Sequence, residues 1–237
     1  MNIKILYDNN SEKKSISSGW GFSCLVGERV LFDTGEDGNS LLGNIKAMKI
    51  DIANITDIVI SHDHWDHTGG LESVLQKKKG IIVHGCGGFS QRFKDLVNKH
   101  GAELVETELF SDITSNIFTT GSIKGTYKGG KIEEQSLVLK TTNGITIVTG
   151  CAHPGIVKIV EHIKKLLIQE KLYCVLGGFH LKDMSDDEVV DVCDRLMELG
   201  VQKAGPMHCS GEVAAGIFKE KFGENYMAIT AGKVFEV

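Results

Sequence analysis

The sequence has little from which to build a linker, a nucleic-acid surface or a membrane span. Its 237 residues include two prolines and only 7% aromatics. No Pro/Ser-rich, low-complexity or charge-block stretch interrupts it, which argues for one domain over residues 1–237. Guanidinium groups come from Arg29, Arg92 and Arg195 alone, and the formal net charge is -5. Nucleic acid and anionic membrane surfaces are poor partners for such a chain. No segment approaches the roughly 20 consecutive apolar residues of a membrane span. The apolar stretch in MNIKILYDNN is too short for a secretory leader. The six cysteines (Cys24, Cys86, Cys151, Cys174, Cys193, Cys209) form no CxxC pair. They read as free thiols in a reducing cytoplasm.

What is present is a rhythm of short β-rich runs: IKILYD, GFSCLVG, RVLFDTG, TDIVIS, GIIVHG, SLVLKT, GITIVTG, LYCVLGGF, KAGPMH and VFEV. Helical patterns fall between the later ones. HPGIVKIVEHIKKLLIQE carries an apolar stripe at Ile156, Ile159, Val160, Ile163 and Leu167, with Pro154 expected in its first turn. MSDDEVVDVCDRLMELG opens on the capping box Ser185-x-x-Glu188 and stops at Gly200. FSQRFKDLVNKHG and EVAAGIFKEKFG are two further helices. Two central sheets with helices outside would accommodate this order, a four-layer α/β arrangement.

Histidine is concentrated in SHDHWDHTGG, Ser61 to Gly70. In a helix, His62, His64 and Asp66 would fan out at ~200° steps and could not converge on one ion. Two more residues of strand after DIVI instead place His62 and His64 on one face, with Asp66 and His67 in the turn that follows. Imidazoles with a carboxylate suit Zn²⁺, Fe or Mn. Four ligands pointing two ways fit two adjacent ions better than one. Further ligands are expected at other strand ends: Cys151 and His153 in VTGCAHPG, His180 in LGGFHL, and His208 in GPMHCSG. His84, ending the strand of IIVHGCGG, is a candidate at the pocket border, whereas His100 and His162 read as surface residues.

HDHWDH resembles the HxHxDH signature of the metallo-β-lactamase superfamily, and LFDTG (Leu31 to Gly35) is similar to its early Asp-containing turn. The resemblance runs from about residue 20 onward and implies the αβ/βα sandwich with a binuclear site. His62, His64 and His153 match the ligands of the first metal. Asp66, His67 and His208 match those of the second, with zinc expected and iron or manganese as alternatives. Asp33 falls in the supporting turn. Members usually carry a bridging aspartate after the strand that here leads to Cys151, so either Cys151 is a bridging or supporting group or the bridge is water or hydroxide alone. GCAHPGI, LGGFHL and PMHCSG together resemble the branch named for dihydropterin-methyl-ribofuranosylaminobenzene phosphate synthases of methanopterin biosynthesis.

The resemblance implies a metal-dependent enzyme that activates a water or hydroxide and acts on a pterin- or folate-like, phosphorylated small molecule. His180 and Asp66 are the catalytic candidates, and His84, Arg92 and His180 the substrate-binding ones. The alternatives are a non-catalytic pterin- or folate-binding metalloprotein and a general phosphodiesterase or lactonase. A di-iron redox protein on the same scaffold would carry Glu where His64 stands. GTYKGGKI matches a phosphate-binding loop in part, but Ile132 replaces the magnesium-binding hydroxyl, so it reads as a loop at a pocket rim. Homo-oligomerisation is left open by the sequence.

Overall fold

Strands and helices divide between two compact units, Met1–Glu108 with Thr230–Glu236, and Leu109–Ile229. They are described in a computed structural model covering residues 1–237.

The first unit holds strands β1 (Asn2–Tyr7), β2 (Ser23–Val26), β3 (Val30–Phe32), β4 (Asp57–Val59), β5 (Ile82–Gly85) and β6 (Glu103–Glu106). Its helices are α1 (Gly38–Ala47), α2 (Trp65–Thr68), α3 (Leu71–Lys77) and α4 (Gln91–Lys99). β1, β2 and β3 pair antiparallel, while β3, β4, β5 and β6 run parallel to one another. Parallel neighbours need crossovers, which the helices supply, and the C-terminal ends of these four strands therefore share one edge. β2, β3 and β4 are buried at every residue, as continuous apolar runs require. Leu31, Ile58 and Val83 of the strands pack with Leu41 and Ile45 of α1, Leu71 and Val74 of α3, and Phe93 and Val97 of α4. Each such side chain contributes about 1.5–3 kcal/mol relative to exposure.

The second unit holds β7 (Ser111–Thr114), β8 (Ile117–Thr119), β9 (Ile123–Tyr127), β10 (Gly130–Glu134), β11 (Leu137–Thr141), β12 (Gly144–Thr149), β13 (Leu172–Gly178) and β14 (Lys203–Met207). Its six-stranded sheet has the order β14-β13-β12-β11-β8-β7, and β9 and β10 form a separate hairpin. β12, β13 and β14 are parallel, and α5 (Ile156–Leu166), α6 (Asp186–Glu198) and α7 (Glu212–Phe222) follow them in turn. The α5 stripe of Ile156, Ile159, Val160 and Ile163 packs in one core with Ile147 and Val175 of the sheet. The last strand, β15 (Val234–Glu236), pairs antiparallel with β1 and so extends the first unit's sheet to seven.

The ten strands expected from composition are all present. The capping box on α6 forms, with the Ser185 side chain and the Glu188 carboxylate bonding each other's backbone N–H. Four expectations need correction. β4 stops at Val59, so His62 and His64 lie beyond the strand, and Asp66 and His67 sit in the single turn of α2. Pro154 precedes α5 instead of entering it, because Gly155 takes the N-cap at φ 98°. His100 is no plain surface residue: it ends α4 with Nε2 2.9 Å from Glu72. GTYKGGKI is a β-hairpin, not a loop, with Tyr127 paired to Gly130. Lys128 and Gly129 at its turn have φ 48° and 79°, the pattern of a two-residue turn whose twist matches the strands.

Candidate metal centre

In the first unit the site is built around a buried carboxylate. Asp33 follows β3 in the left-handed region, φ 53°. It accepts hydrogen bonds from the Ser61 backbone N–H at 2.7 Å, the Ser61 hydroxyl at 2.7 Å and His67 Nδ1 at 2.7 Å. Ser61 Oγ lies 2.9 Å from His62 Nδ1. Since its one proton goes to Asp33, the hydroxyl accepts from His62. Both rings thus carry their proton on Nδ1, and Nε2 keeps the lone pair that a metal needs. The His62 ring centroid is 4.6 Å from that of His64 and 4.2 Å from that of His67. His67 Nε2 and Asp66 Oδ2 are 3.6 Å apart. Two ligand atoms sharing a tetrahedral zinc lie about 3.4 Å apart, so this pair fits one ion. The glycines after the motif have a steric purpose. A Cβ on Gly70 would stand 2.3 Å from the Thr34 carbonyl oxygen, and one on Gly69 2.1 Å from that of Glu36.

The second unit repeats the device with a residue that nothing in the sequence singles out. Glu134, at the end of β10, accepts from the backbone N–H groups of Cys151 (2.9 Å), Ala152 (2.7 Å) and His153 (2.8 Å). It also accepts from His153 Nδ1 at 2.9 Å, which again directs the Nε2 lone pair outward. The loop after β12 is thereby wrapped on one carboxylate. Gly125 of β9 packs on it so closely that a Cβ would lie 2.7 Å from Pro154 N. His180 follows β13 and His208 follows β14, so the parallel strands deliver all three histidines at one sheet edge. Ligand sites of α/β sheets lie at such carboxyl ends. Cys151, His153 and His180 each offer a ligand atom within 4.8 Å of the others, an N,N,S donor set suited to zinc or iron. The Tyr127 ring stands 5.0 Å from that of His153 and 5.8 Å from that of His180.

The loops are held in costly conformations. Asp33, Ala152, His180 and His208 are four of the seven non-glycine residues with positive φ. Each costs about 1–3 kcal/mol and persists where surrounding bonds over-determine it. Ser210 shows how: its hydroxyl accepts from Phe179 N–H and donates to the Met207 carbonyl, tying the His180 and His208 loops together. His180 is pushed up, first by its hydrogen bond with Cys209 and then, against burial, by the charges of Cys209, Glu134 and Asp183. Burial alone would raise Cys209, but Cys151, His180 and the charge on His208 together hold it well below the ordinary thiol range.

The two remaining candidates lie apart from these clusters. His84 in β5 is bound through the opposite nitrogen, Nε2, at 2.9 Å to Asp57 of β4. Arg92 is exposed on α4 and lines a cavity of about 500 Å³ in the first unit.

A family model for the metallo-β-lactamase superfamily matches residues 23–88. A Methanocaldococcus jannaschii protein is 31% identical, over 89% of this chain and 85% of its own length. It is named 7,8-dihydropterin-6-methyl-4-(beta-D-ribofuranosyl)-aminobenzene-5'-phosphate synthase. The chain belongs to the metallo-β-lactamase superfamily. Another protein of that archaeon, uncharacterized protein MJ0448, is 30% identical over 88% of this chain and 90% of its own. The crystal structure of Tm1679, a metal-dependent hydrolase of the β-lactamase superfamily, is 32% identical with a TM-score of 0.84, covering 100% of this chain and 99% of that one. The α/β class and the metallo-β-lactamase fold expected from the sequence are those of the chain. The metallo-β-lactamase fold implies divalent metal ions, and candidate ligands for them are present. No helix is long and apolar enough to cross a membrane.

Proposed function

We propose that this metallo-β-lactamase-fold chain is a metal-dependent enzyme acting on a pterin-like, phosphorylated small molecule. One divalent ion, zinc, is assigned to His62, His64 and His153, and a second to Asp66, His67 and His208. The observation that carries the metal reading is the set of imidazoles with Nδ1 already engaged: His62 by Ser61, His67 by Asp33 and His153 by Glu134. Histidines held this way are oriented as ligands before an ion arrives. Such ions supply Lewis acidity and an acidified water, which suits displacement at a phosphate or at an activated carbon. Asp66 holds or releases a proton at a carboxylate oxygen, and His180, poised toward the cationic form, donates to a departing oxygen. The substrate class rests on the M. jannaschii synthase. Six free, buried cysteines support a reducing cytoplasmic setting.

The test combines metal analysis of the purified protein with mass spectrometry of any co-purified ligand and turnover assays before and after chelation. About two zinc ions per chain, a pterin mass and chelator-sensitive turnover are expected. Turnover of phosphodiesters or lactones alone would replace the substrate class. Tight pterin binding without turnover would favour a binding protein, the reading that Cys151 at the usual aspartate position supports.

A further inference from the structure

Trp65, between two candidate ligands in HDHWDH, has no part in the metal chemistry yet is 62% exposed. Trp65 lines the cavity of about 500 Å³ together with Asp63, Arg92, Phe93, Asp95 and Glu36. That volume falls in the range of small-molecule sites. The cavity combines one flat aromatic face with several carboxylates. Asp63 is fixed by the Ser90 N–H at 2.7 Å, and Asp95 by Gln91 at 2.8 Å. Lys99 is engaged with Glu72 at 2.9 Å. Arg92 is therefore the cation left for a ligand.

Resting on the reading of a pterin-like substrate above, we propose that this cavity is the seat of a fused 2-amino-4-oxopyrimidine ring. The ring stacks on the Trp65 indole and turns its donor edge toward the carboxylates, with Asp63 foremost. That edge presents two parallel N–H donors, the complement of a carboxylate's two oxygens. The cavity's excess of acceptors rejects a phosphate, so the anionic end of the ligand lies outward at Arg92. Trp65 stands between His64 and Asp66 in the chain, but none of the candidate metal ligands lines this cavity.

The experiment titrates zinc-loaded full-length protein with 6-hydroxymethylpterin, guanosine and inorganic phosphate, by calorimetry and by tryptophan fluorescence. Trp65→Ala is expected to weaken pterin binding by about 5- to 150-fold, the range for loss of one ring stack. Trp65→Phe restores most of it, and zinc content stays unchanged. In the Trp20→Phe variant Trp65 is the only tryptophan left, and saturating pterin should quench its emission almost fully; this readout stands even if Trp65→Ala folds poorly. Pterin binding that ignores Trp65 and leaves its emission intact overturns the subsite and spares the proposed function. Trp65-dependent binding of guanosine but not pterin keeps the ring subsite and overturns the pterin reading. Phosphate binding alone overturns both.

Discussion

The two units solve one problem, presenting imidazole Nε2 atoms at a sheet edge, with differently wired carboxylates. Asp33 bonds one backbone N–H and two side chains, Ser61 and His67. Burial raises its pKa, and His67 and Ser61 reverse this only in part. Glu134 bonds three consecutive backbone N–H groups and the His153 ring. Burial works against its charge as well, yet its hydrogen bonds from His153 and the backbone outweigh it and hold the carboxyl low. What sets Glu134 apart is that it gathers three consecutive N–H groups of one loop. Glu134 is thus the scaffold of its loop, whereas Asp33 chiefly sets the protonation of rings.

The largest effect should come from breaking the scaffold. Glu134→Ala leaves three buried N–H groups without an acceptor, at about 1–3 kcal/mol each when unsatisfied. With water admitted to the space, a loss of about 3–5 kcal/mol is expected in urea unfolding. Metal binding by the second unit's ligands should fail with it. If stability falls by less than about 1 kcal/mol, Glu134 is not the scaffold of this loop.

Asp33→Asn should act on metal more than on stability. An asparagine oxygen can still accept from Ser61 N–H, but its NH₂ then faces the Ser61 hydroxyl and His67 Nδ1. His67 escapes that clash of donors by moving its proton to Nε2, which removes the lone pair meant for the ion. Zinc affinity, measured by chelator competition, should drop about 10- to 100-fold. Unchanged affinity would show that the His67 tautomer does not matter.

What the sequence revealed follows from the range of the interactions involved. His62 to His67 are readable because their chemistry lies in local spacing, and His153, His180 and His208 because each follows a buried β run. Asp33 was reached through the likeness of LFDTG to a known turn. Glu134 had no such handle. It ends the polar strand GKIEE and becomes buried only when β10 folds against the GCAHPG loop, a tertiary event without local periodicity. Helix α1 was missed for another reason: GNSLLGNIKA carries two glycines, and its buried Asn44 bonds Leu6 and Ser17 instead of continuing an apolar stripe. Strands β6, β7 and β10 are short and partly exposed, with no clean alternation of burial.

A third carboxylate–histidine pair sharpens the comparison, because it lacks the ligand geometry. Asp57 begins the strand whose other end leads to His62, and it holds His84 by Nε2 instead of Nδ1. Burial would raise the Asp57 carboxyl, but the hydrogen bonds from His84 and Thr56 outweigh it and hold it below the usual carboxylate range. A carboxyl with a depressed folded pKa stabilises the fold above its unfolded pKa, and that stabilisation fades as pH falls through the folded value. Asp57→Asn should therefore cost about 1 kcal/mol at neutral pH. The gap from the unmodified protein should stay constant down to about pH 5 and close below about pH 4. Zinc content should not change, in contrast to Asp33→Asn. A gap that widens on acidification would reverse the sign argued for this pair, and a loss of zinc would mean that His84 serves the metal after all.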